Sequence, residues 1–155
     1  MWRCWRSPLP AAELGAATKR GIVLEGGGPT VGAPARLVER WLLGEFELVV
    51  SERLLAEVER TLASPKLRDR VAHTHRSEFL VLLRSLAERA ADPEATPSPR
   101  SRDPGDDYLI ALAAALRATL VTGDAHLLEL AGSIPVVTPR SFLDLLEERF
   151  EPRTD

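Results

Sequence analysis

"ATLVTGDAHLLELAGSIPVVTPRSFLDLLEERF", residues 118–150, alternates short apolar runs with polar turns and leucine-rich stretches, and its reading decides the fold. Ala118 to Thr122 and Ile134 to Thr138 are brief apolar runs bounded by Gly, Asp and Pro, the pattern of strands. "GDAHLLELAG" and "PRSFLDLLEERF" space their leucines as amphipathic helices do. Strand, turn and helix repeated in this order argue for a parallel sheet covered by helices. The expected class is therefore α/β, with a central, mostly parallel sheet flanked by helices. Functional sites in such sheets form outside the carboxyl ends of the strands. Asp124 follows one of those ends directly, after Gly123.

Upstream the pattern continues. "PARLVERWLLG" sets Leu37, Trp41 and Leu42 on one helical face and stops at Gly44. "FELVV", Phe46 to Val50, reads as a buried strand, and Ser51 suits the N-cap of "ERLLAEVERTLAS", which Pro65 closes. Residues 65–90, "PKLRDRVAHTHRSEFLVLLRSLAERA", predict one short and one longer helix. "DPEATPSPRSRDP", Asp92 to Pro104, has four prolines and no large apolar residue, which makes it a loop. Residues 34–150 thus form one domain. Residues 1–33 are atypical: "GIVLE", Gly21 to Glu25, is a candidate strand, and the glycines after it match neither a phosphate loop nor GxGxxG.

Bulk properties narrow the function classes. A net charge of −3 gives no overall attraction to nucleic acid, so any such contact needs a local basic patch. The one cysteine, Cys4, excludes an intrachain disulfide and a thiolate zinc site. Neither a signal peptide nor an uncharged run long enough to span a bilayer is evident, so a cytoplasmic protein without membrane contact is expected.

The carboxylates carry the chemistry. In "SRDPGDDYLIALAAAL", residues 101–116, Asp103 before Pro104 and Asp106 three positions on match a helix N-terminus. Capping does not explain Asp107, which shares a stripe with Ile110, Ala111 and Ala114, where an ionised group needs a partner. Glu57 repeats that pattern beside Leu54, Val58 and Thr61. Asp124 has a plainer alternative, as N-cap of the helix carrying Leu127 and Leu128. Were Glu57, Asp107 and Asp124 to converge, each pair of like charges ~4 Å apart would cost on the order of 4 kcal/mol at an effective dielectric near 20. Such a cluster wants a hard cation, magnesium or manganese. His73, His75 and His126 are expected on solvated surfaces and are given no role.

From about Pro34 to Phe150 the chain resembles PIN-domain ribonucleases, in particular the toxin components of prokaryotic toxin–antitoxin modules. The matching blocks are "PARLVERWLLGEFELVVSERLLAEVERTLASPKLR", "RDPGDDYLIALAAAL", "LVTGDAHLLEL" and "VVTPRSFLDLL", in the family's order. The resemblance implies a three-layer α/β fold and Mg2+-dependent (or Mn2+-dependent) hydrolysis of RNA phosphodiesters. It also implies a cognate antitoxin protein and a homodimer. Motif by motif, Glu57 matches the family's helix glutamate, Asp107 its third acid and Asp124 its fourth, with Asp103 and Asp106 in the acidic run. Lys66, Arg68, Arg70 and Arg76 are available to contact RNA phosphates, and equally suit a solvated helix surface.

One position departs from the pattern. The family's first strand ends in an Asp followed by Ser or Thr and Asn, and counting back from "PARL" without gaps puts Ala17, Thr18 and Lys19 there. Glu25 at the end of "IVLE" is a substitute only if the intervening loop is short. Either a ligand is lost, leaving a PIN-like binding protein without catalysis, or the start of the chain is read in another frame.

Overall fold

In the computed structural model, which describes residues 2–3, 22–23, 33–65 and 73–150, the buried pair Leu120 and Val121 lies inside a four-stranded sheet. The strands are β1 (Trp2–Arg3), β2 (Ile22–Val23), β3 (Val49–Val50), β4 (Glu88–Arg89), β5 (Leu120–Val121) and β6 (Val136–Val137). The helices are α1 (Ala33–Leu42), α2 (Glu52–Leu62), α3 (His73–Leu86), α4 (Asp107–Leu116), α5 (Ala125–Leu128) and α6 (Pro139–Phe150), and a 3-10 turn at Pro104–Asp106 precedes α4.

The sheet runs β1-β2-β5-β6. β5 pairs in parallel with β6, Val121 opposite Val137, and with β2, Ile22 opposite Val121. β1 is antiparallel to β2 at one edge. β3 and β4 form a separate parallel pair that abuts β1 through β3. The expected α/β fold with parallel strands is thus present, although its strands fall in two short sheets.

One boundary differs from the sequence reading. Residues 87–90 were expected to prolong the longer helix, but α3 stops at Leu86 and Glu88–Arg89 become β4. The Glu88 N–H donates to the Leu48 carbonyl at 2.7 Å and the Ala90 N–H to that of Val50 at 2.9 Å, so the backbone of "FELVV" captures the segment. Helix propensity yields to a sheet ladder. The expected short helix before α3 falls largely on residues 66–72, outside the described residues.

Caps explain the other ends. Ser51 Oγ accepts from the Leu54 N–H at 3.2 Å and starts α2. Gly44 ends α1 at φ +78°, a conformation glycine adopts without a Cβ penalty. Arg117 ends α4 in the same left-handed region, at φ 50°, with the Ala118 N–H on the Ala113 carbonyl at 2.8 Å. An L side chain there carries strain. Arg117→Gly is expected to raise stability by about 0.5–1 kcal/mol, read as a higher urea midpoint at unchanged slope.

The core gathers Leu54, Leu55 and Val58 of α2, Phe79 and Leu83 of α3, and Phe142, Leu143 and Leu146 of α6 around the strands. Phe46 meets Phe142 edge-on, with centroids 5.3 Å apart and planes at 89°. α4 is buried through Tyr108, Leu109, Ile110, Ala111, Leu112 and Ala113, hence on nearly every side. A helix so enclosed must find internal partners for any polar group it carries. Among the described residues, no helix is long and apolar enough to cross a membrane.

Candidate active site

The 3-10 turn before α4 sorts the three aspartates. Asp103 Oδ1 accepts the Gly105 N–H at 2.9 Å, the cap expected of it beside Pro104. Asp106 occupies the N-cap position of α4 but makes no side-chain cap bond to it. Asp107 turns inward and is 8% exposed. Its carboxylate is held at both oxygens: Arg100 Nε donates to Oδ2 and the Ser101 N–H to Oδ1, each at 2.8 Å. The partner that burial demanded is thus an arginine and a backbone amide.

Burial by itself would raise the Asp107 pKa. The hydrogen bonds from Arg100 and Ser101, with the guanidinium charge, outweigh it and hold the carboxyl below the usual carboxylate range. The side chain of Arg100 is 61% exposed, so solvent screens much of the ion pair and the buried amide bond carries more of the anchoring.

Glu57 lies half-buried at the edge of the apolar stripe of α2, where Leu54 and Val58 are buried and Thr61 is exposed. Its Oε2 accepts the hydroxyl of Tyr108, the residue after Asp107. Arg53, one turn earlier on α2, places its guanidinium carbon 4.1 Å from the Tyr108 ring centroid. The Tyr108 hydroxyl is pushed well above the ordinary phenol range, first by burial and then by the Glu57 hydrogen bond and charge; Arg53 opposes this and Asp106 adds to it. One hydroxyl therefore feels acids from two helices, Glu57 and Asp106.

Asp124 stands where β5 gives way to α5. Its Oδ1 accepts the N–H groups of His126 at 2.7 Å and Leu127 at 3.3 Å, so the capping alternative is realised. Its own N–H donates to Thr122 Oγ1 at 2.9 Å, which fixes the turn beyond the strand. His73, His75 and His126 are exposed.

Of the expected basic contacts, Lys66, Arg68 and Arg70 lie outside the described residues. Arg76 is half-buried, with Nη1 donating to the Leu62 carbonyl at 3.0 Å, so it serves the end of α2. Sequence reasoning missed Tyr108, Arg53, Arg100 and Ser101. Tyr108 carried one legible signal, a hydroxyl within an otherwise apolar helix, which must find a partner once buried.

The donors suit a hard cation in kind, since all are carboxylate oxygens. Among the described residues they do not gather as a set: no group of three or more His, Cys, Asp or Glu is placed to hold a metal ion. Glu57 accepts the Tyr108 hydroxyl, and Asp124 uses Oδ1 for its cap. In sequence, Glu25 stands three positions after Ile22, as Asp124 stands three after Val121, the residue with which Ile22 pairs.

A family model described as PIN domain matches residues 22–126, about two thirds of the chain. No curated protein gives a significant match.

Proposed function

We propose that this chain, which belongs to the PIN domain family, is a metal-dependent endoribonuclease with the three-layer arrangement of that family. PIN domains are commonly nucleases that work with divalent metals. The observation that supports the reading is the hydrogen bond from Tyr108 in the first turn of α4 to Glu57 of α2, in a family member whose next parallel strand delivers Asp124.

We assign Glu57, Asp106 and Asp124 to the ion. Glu25 is the acid that stands in for the first-strand Asp, on the strength of its matching offset from the Ile22–Val121 pair. That assignment replaces the gap-free count, which pointed to Ala17. Asp107 joins the set only if Arg100 swings away, which its exposure permits. A bound Mg2+ or Mn2+ supplies an attacking water and offsets charge on the phosphoryl oxygens. The protein's own part is to fix the carboxylates and to offer Arg53, exposed on the same face of α2, to a substrate phosphate. The order of the four sequence blocks supports a toxin role, with a cognate antitoxin protein and a homodimer as partners.

Purified protein is expected to cleave single-stranded RNA with Mg2+ or Mn2+ and to stop on addition of a chelator. Absence of cleavage with either ion would overturn the enzyme reading. It would favour a PIN-like binding protein, consistent with the engagement of Asp107 by Arg100.

A further inference from the structure

Arg53 is an exposed arginine seated without the use of its side-chain donors. Its guanidinium carbon lies 4.1 Å from the ring centroid of Tyr108, a residue 6% exposed in the buried stretch of α4, so the core fixes the ring on which the charge rests. Glu57 stands four residues further along α2, the spacing at which opposite charges on a helix surface ordinarily pair. No such pair forms, and the acids beside Arg53 are engaged elsewhere. Glu57 accepts the Tyr108 hydroxyl, Glu52 pairs with Arg89, and Asp92 accepts the backbone N–H of Arg53 itself. Other exposed arginines, Arg84 and Arg102, do find acids, in Glu59 and Glu129. Among the described residues the Arg53 side chain makes no hydrogen bond or ion pair.

A guanidinium pinned by one face has given up side-chain freedom before any ligand arrives, and it keeps its planar fork and its solvent-facing side for something outside the chain. We propose that Arg53 is a specificity residue that stacks on an unpaired RNA base, so that base, guanidinium and Tyr108 ring lie in layers. That the ligand is RNA rests on the function proposed above. Unpaired bases stack on arginine planes, whereas bases inside a duplex are covered by their neighbours. A base carries no net charge, so Glu57 and Asp106 do not repel it. The contact therefore selects single strands over duplexes.

It is measured in EDTA, where no metal takes part, by the fluorescence anisotropy of a labelled short oligoadenylate. The parent is expected to bind the single strand more tightly than a duplex of the same length. Arg53→Lys keeps the charge but has no plane to stack, so it should lose roughly tenfold in affinity for the single strand, within the range of one stacked base. Its duplex binding and salt dependence should stay parental. Replacing the bases by abasic sugars should weaken binding by the parent and have little effect on Arg53→Lys, a comparison that does not depend on how well the variant folds.

Parental single-strand affinity in Arg53→Lys, indifference of the parent to abasic sugars, or no RNA binding by the parent in EDTA would each overturn the proposal, while cleavage by the parent left the enzyme reading standing. Base-dependent binding that is lost in Arg53→Lys, in a parent that cleaves no RNA with either ion, would do the reverse: the contact stands and the enzyme reading falls.

Discussion

Asp124→Asn is expected to lower metal-dependent RNA cleavage on the order of a hundredfold and to leave folding stability within about 0.5 kcal/mol of the parent. The substitution separates two duties of one side chain. Oδ1 caps α5 through His126 and Leu127, and asparagine retains that oxygen and is as good an N-cap. What it loses is the negative charge, along with the ability of the second oxygen to bind a hard ion. Asp124→Ala removes both and should add a stability loss of about 1 kcal/mol. Cleavage rates set beside thermal melts of the two variants decide the matter. Full activity in Asp124→Asn would mean that capping is the whole role.

Asp107→Ala is expected to destabilise the fold by about 2 kcal/mol, a fall in Tm of roughly 5 °C for a chain of this size. Most of that comes from the Ser101 N–H, left buried without an acceptor, rather than from the screened Arg100 pair. Because the folded carboxyl titrates below its unfolded value near 4, this contribution is complete above about pH 4 and is lost as pH falls through the folded pKa. Asp107→Asn retains an acceptor for Ser101, so it should cost less, and its stability should fall less steeply on acidification. Chemical denaturation at pH 7 and at pH 3 gives both quantities. A stability loss for Asp107→Ala equal at the two pH values would contradict the anchoring by an ionised carboxylate.

How much of this was legible beforehand varies with the physical signal. Ser51, Gly44 and Asp103 were readable because caps are local, and short-range chemistry leaves a short-range pattern. The α/β class was readable from the strand and helix alternation after Ala118. β4 was not, since Glu88 and Arg89 look helical and become a strand only because Leu48 and Val50, some forty positions earlier, present open backbone groups.

The site was half legible. Burial of Asp107 followed from its stripe, but its partners came from a proline-rich loop with no period to read. Tyr108 escaped because residues 107–113 of α4 are all buried, so its side chain lies among apolar neighbours on every side and only its hydroxyl marks it out.

The loop between β4 and α4 is fastened at both ends. Asp92 Oδ2 accepts the Arg53 backbone N–H at 3.1 Å in the first turn of α2, and Arg100 with Ser101 grips Asp107 in the first turn of α4. The spacing of the two acid-bearing helices is thus set by those fastenings and by the core, not by the number of residues strung between them. Residues 94–98 are where a lineage could lengthen or shorten this chain, since slack there would be absorbed at the surface without changing how the two helices are set.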